Sequence, residues 1–78
     1  MNVYTIYDSV ANEHGPLFEA KNDMVALRNV KMQLEQVPEV YRKEYNLKMI
    51  GTYDRENGLL TSEDAPIIIE IPEETKDE

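Results

Sequence analysis

The chain has 78 residues, no cysteine, 16 acidic against eight basic side chains and a net charge of −8. At this length about 60–65% of the unfolded surface is buried on folding, so one domain with a small core is expected. The lack of cysteine excludes disulfide frameworks and Cys-based zinc sites, hence the secreted mini-protein class, and fits a reducing cytoplasm.

The first ten residues, MNVYTIYDSV, lack the basic and apolar regions of a signal peptide. The longest aliphatic run, Ile67-Ile68-Ile69, is far short of the about 20 residues that cross a bilayer. A soluble intracellular protein with no membrane partner is expected. Val3-Tyr4-Thr5-Ile6-Tyr7 is β-branched and aromatic and reads as a first strand closed by Asp8. Ser9 to Gly15 is polar and turn-prone. Leu17 to Ala20 reads as a short second strand, with Pro16 suited to an edge or a strand start.

Asn22 is a good N-cap for a helix starting at Asp23, whose carboxylate suits the positive end of the helix dipole. Leu27, Val30, Leu34 and Val37 recur at helical spacing, with Met24 one turn earlier, and predict one apolar stripe. Pro38 is expected to stop this helix. Val40 to Glu44 is a connector with helical-turn character. From Tyr45 to Tyr53 the period falls to two: Tyr45, Leu47, Met49, Gly51 and Tyr53 predict one face, and Asn46, Lys48, Ile50 and Thr52 the other. Asp54 to Gly58 predicts a hairpin loop, with Asn57 and Gly58 best able to take positive φ. Leu59-Leu60-Thr61 starts the return strand, Ser62 to Ala65 interrupts it, and Pro66 to Ile71 either continues it or forms a separate edge.

The fold class that follows is α+β: a small, mainly antiparallel sheet in β-β-α-β-β order with one helix packed on one face, in two layers. One domain over 1–71 is expected, and 72–78 as an acidic, disordered tail. The segments YDSVANEHG and YDRENG both join strands and read as turn chemistry used twice.

Catalytic constellations are missing. His14 is the single histidine, Ser9 and Ser62 have no signature around them, and three glycines form no nucleotide-binding loop. Asp54-Arg55-Glu56-Asn57-Gly58 resembles a piece of a calcium loop, but Arg55 disfavours a cation and the bidentate glutamate of such loops is missing. A protein that is no enzyme and carries no metal or cofactor is expected.

Two binding readings remain. Tyr41, Arg42, Lys43, Tyr45 and Lys48 put three bases and two rings within eight residues, the pairing of cation and aromatic surface that holds single-stranded nucleic acid. Residues 1–61 carry nine acids against seven bases, a net −2, while 62–78 carry seven acids and one lysine, a net −6. Acidity on this scale argues against tight non-specific nucleic-acid binding but leaves room for a local basic patch. Alternatively, an edge strand, the Pro66–Ile71 run or the acidic tail docks on a protein partner, a homodimer included.

The order YTIYD, GPLFEAKND, Ala26 and Arg28 in the helix, then YNLKMIGTYDRENG resembles the small nonstructural protein of gokushoviruses, the Chlamydia-phage-like branch of the microviruses. The resemblance covers residues 3–60, with Asn57 where that family's "ETG"-like turn has threonine, and fades in the tail. It implies a viral accessory protein in the host cytoplasm, associated with phage DNA replication or with the switch to single-strand synthesis. The implied partners are single-stranded DNA or a viral replication or capsid protein. An acidic decoy of DNA is a third reading. No catalytic residue carries over.

Overall fold

Val3 to Tyr7 forms the heart of strand β1 (Asn2–Asp8) in the computed structural model, which describes residues 1–72. The expected disordered tail, 72–78, lies outside the described residues except for Pro72. After β1 come β2 (Glu13–His14), β3 (Phe18–Ala20), helix α1 (Asp23–Leu34), a 3-10 turn (Glu39–Glu44), β4 (Tyr45–Asp54) and β5 (Leu59–Ile69). All pairings are antiparallel, in the order β2-β1-β4-β5, with β3 also on β1. One helix on a mainly antiparallel sheet is the α+β class expected.

The two Tyr-Asp loops are built alike. In each, the aspartate's Oδ1 accepts two backbone N–H groups, Val10 and Ala11 for Asp8, Glu56 and Asn57 for Asp54. Four residues after each aspartate the backbone turns left-handed, at Asn12 (φ 56) and Gly58 (φ 70). Such side-chain-to-backbone turns are the local chemistry that makes Asp, Asn and Gly turn residues.

The first loop returns the chain so soon that Glu13 and His14 already pair with Asp8 and Tyr7. This short strand corrects the reading of 9–15 as turn alone. Pro16 has no N–H to donate, so the ladder breaks there and resumes at β3.

Asp54 sits below the usual carboxylate range because the Asn57 and Glu56 N–H groups, then the Asn57 side chain, all donate to it. A lowered native value stabilises above the ordinary carboxylate range, and that contribution disappears as pH falls through the native value. Asp54→Ala is therefore expected to lower the urea midpoint at neutral pH and to match wild type more closely near about pH 3. Urea titrations at both pH values, followed by circular dichroism, check this; an equal deficit at the two would refute the ionic part.

Asn22 caps α1 as expected, its side chain accepting from Val25 N at 3.0 Å. The buried stripe is Ala26, Val30 and Leu34, with Leu27 and Val37 half-buried beside it. Met24, expected on this stripe, is 75% exposed. The row at i, i+4, i+8 starts at Ala26, whose small side chain faces the sheet, and Met24 lies some 200° around the helix from it. Helical structure ends at Leu34, earlier than the expected stop at Pro38. The following proline disfavours a helical Val37, whose N–H bonds Leu34 O at 2.9 Å in a tightened last turn.

The core is Tyr4, Ala20, Ala26, Val30, Leu34 and Leu47, with Ile6, Phe18, Met49, Ile69 and Ile71 packed around it. One irregularity shapes the sheet. Tyr4 pairs with Met49 and Val3 with Gly51, so Ile50 is an extra residue on β4. Across the other edge, Met49 pairs with Ile67 and Gly51 with Ser62, so Glu63–Pro66 loops out of β5. An extra residue reverses the alternation beyond it. Gly51 and Tyr53 consequently share the face of Val3, opposite Leu47 and Met49, which corrects the single face predicted for them. The interruption expected at Ser62–Ala65 falls at Glu63–Pro66, since Ser62 still pairs with Gly51, and Ile67–Ile69 continues β5.

The face away from α1 is covered by its own long side chains. Arg55 pairs with Glu19 at 3.0 Å, bridging across β1. Beneath and beside it Val3 and Thr5 are buried, and Thr5 Oγ1 donates to Gly15 O.

Candidate nucleic-acid interface

Pro38 takes an extended conformation (φ −54, ψ 140) and launches the 3-10 turn, closed by Tyr41 N on Pro38 O at 2.9 Å. The turn folds back against the end of α1. Arg42 secures that arrangement: its Nε donates to Val37 O at 2.9 Å, with a longer contact from its terminal nitrogen to Glu35 O. Cationic side chains at a helix C-terminus satisfy orphan carbonyls and complement the dipole. At its far end the turn is held by Ser9, whose N–H and hydroxyl both donate to Glu44 O.

These contacts frame a cleft of about 520 Å³. Lys31, Arg42 and Lys43 supply its cations, Val40, Tyr41, Ile71 and Pro72 its apolar surface, and Glu39 and Glu44 its acids. Tyr41 is half exposed and Lys43 exposed. Of the five residues expected from sequence, Tyr41, Arg42 and Lys43 thus line one cleft. Tyr45 stands beside it with its ring against the core, its phenol pKa raised chiefly by the Asp8 carboxylate, then by desolvation and Glu44.

Lys48 is on the other side of the sheet. Its Nζ lies 3.1 Å from His14 Nε2 and 4.2 Å from the centre of the Tyr7 ring, and the Tyr7 and His14 rings are 4.5 Å apart. The contact assigns His14 Nε2 as an acceptor, with the ring proton on Nδ1. His14 is therefore part of a cross-strand stack, where a plain loop residue was expected. The five residues do not share one surface.

Sequence reasoning passed over Lys31, whose signal was its place in the last turn of a helix that a short connector doubles back on. The charge distribution was also hidden in the totals. Residues 21–44, which run through the helix and the 3-10 turn, carry five Lys/Arg against four Asp/Glu, a net +1, which leaves −9 for the rest of the chain. A protein acidic overall thus has a helical layer close to neutral, with Lys31, Arg42 and Lys43 at one cleft.

Among the described residues no group of three or more His, Cys, Asp or Glu is placed to hold a metal, and no helix is long and apolar enough to cross a membrane. No curated protein and no solved structure matches the chain. Residues 1–74 match the family described as Phage ORF5 protein, and the chain belongs to that family.

Proposed function

We propose that this phage protein is a non-enzymatic accessory of DNA replication that contacts single-stranded DNA through its helical layer, in the host cytoplasm. The observation that carries the reading is the gathering of Lys31, Arg42 and Lys43 around a cleft beside the half-exposed Tyr41 ring, in a chain of −8. Phosphates are attracted by clustered Lys and Arg, and a tyrosine face stacks any base. The acidic remainder weakens long-range attraction, so binding is modest and strongly salt-dependent. The sequence resemblance to the gokushovirus nonstructural protein supports the same role.

The test is an anisotropy titration with a labelled oligothymidylate at two salt concentrations. Three phosphate contacts predict a slope of log affinity against log salt of about −2. Lys31→Glu with Lys43→Glu is expected to abolish measurable binding while leaving the fold intact, because neither side chain supports the core. Arg42 is unsuited to this test since it holds the helix end. No binding at low salt, or binding without a salt slope, would end the DNA reading.

A further inference from the structure

The outer side of β5 is the longest open edge of the sheet. Its inner side pairs with β4 in two stretches, 59–62 and 67–69, separated by the looped-out Glu63–Pro66. Its outer side pairs with no strand among the described residues. The opposite edge is different in kind, two short strands broken at Pro16.

Natural edge strands are blunted by lysines, prolines and bulges. Here proline and bulge guard residues 63–66 only. Beyond them Ile67 and Ile68 are 45% and 67% exposed, one toward each face of the sheet, and β5 ends at Ile69 with Glu70 next in the chain. No lysine or arginine occurs anywhere from Glu56 to Pro72, whereas Glu56, Glu63, Asp64 and Glu70 do. The open stretch is thus an apolar strand edge bracketed by carboxylates.

That charge pattern selects the occupant. A second copy pairing antiparallel through the same stretch brings an all-acidic edge against an identical one, and like charges across a strand pair destabilise it. We propose that Ile67–Glu70 is a docking edge for a cationic, extended segment of a partner protein, added as an outer strand. The backbone ladder supplies affinity, Ile67 and Ile68 bury against the partner's alternate side chains, and Asp64 and Glu70 take its bases. This edge borders the helical side: Ile68 and Glu70 line a hollow with Lys43 and Tyr45, next to Ile71 and Pro72 of the cleft.

The experiment uses the full chain and two capped probe peptides, one alternating lysine and valine, the other alternating glutamate and valine. Binding is followed by NMR, with amide exchange locating it. The expected result is that the lysine peptide binds, the glutamate peptide does not, and outward-facing amides within Ile67–Glu70 gain protection. Ile68→Lys, at an exposed position, and Glu70→Lys are each expected to weaken the lysine peptide about fivefold or more. Lys31→Glu, at a residue that lines the cleft but not this hollow, leaves it unchanged and weakens DNA binding, which separates this proposal from the DNA reading. Equal binding of both peptides, protection confined to other residues, or unchanged affinity in Ile68→Lys and Glu70→Lys each overturns it. So does a dimer in sedimentation that protects these amides without peptide, since the occupant is then a second copy.

Discussion

Tyr4→Ala is expected to leave the protein largely unfolded at ordinary temperature. Tyr4 is fully buried at the centre of β1, and its ring stacks on Phe18 with centroids 5.7 Å apart. Its hydroxyl donates to Asp23 Oδ1 at 2.6 Å and accepts from Asn2 Nδ2 at 3.0 Å, tying the first strand to the first turn of the helix. Truncating a buried aromatic costs about 3–5 kcal/mol through lost transfer energy and the cavity left behind. A domain this small has about that much stability in total. Tyr4→Phe keeps the ring and is expected to cost about 1 kcal/mol, because the exposed Asp23 carboxylate recovers water when the phenol is gone. Urea unfolding followed by circular dichroism distinguishes the two; equal losses would shift the credit from the ring to the hydroxyl.

The same residue predicts an alkaline limit. Burial, and then the hydrogen bond to Asp23, raise the Tyr4 pKa. The folded state therefore keeps a proton that the unfolded chain gives up. That contribution is fully present below the ordinary tyrosine value of about 10 and is lost as pH rises through the native value. Wild type is expected to lose stability above about pH 10 faster than Tyr4→Phe, so the gap between them narrows. Parallel stability curves through that range would contradict this.

Gly51→Ala is expected to be the most damaging small substitution. A Cβ at this position would lie 2.4 Å from Thr61 O, 3.1 Å from Ser62 Cα and 3.2 Å from Thr61 C. All three are backbone atoms of the neighbouring strand, so no rotamer change relieves the contact and β4 and β5 must part. Overpacking of this kind costs about 2–3 kcal/mol. Gly58→Ala is the control: nothing lies within 4 Å of its Cβ, and only its φ of +70 is unfavourable, a penalty of about 1 kcal/mol. The urea midpoint should fall further for Gly51→Ala, and amide exchange in Leu59–Ser62 should accelerate first. Equal midpoints for the two variants would show that the strands yield easily.

Much of the architecture could be read in advance because its causes are local. Asp8 and Asp54 organise their own turns, Asn22 caps its own helix, and Pro38 restricts its own neighbour. Of the candidate site, Tyr41, Arg42 and Lys43 are adjacent in sequence and remain together in space for that reason. The role of Arg42 was hidden, because the Val37 carbonyl becomes its partner only when the connector folds back on the helix.

By itself the sequence determined the class of fold, the order of the longer strands and the helix, and the turn chemistry, all properties set by residues within a few positions of one another. Tertiary structure alone decided which faces those elements share. One extra residue at Ile50 turns Gly51 and Tyr53 to the side opposite Leu47, and pairing across β1 draws Lys48 to Tyr7 and His14, away from the cleft. It also gathered Lys31, Arg42 and Lys43 at one cleft within a chain whose summed charge is simply negative. Register and layer placement arise from contacts between residues far apart in the chain, and composition and periodicity do not encode them one segment at a time.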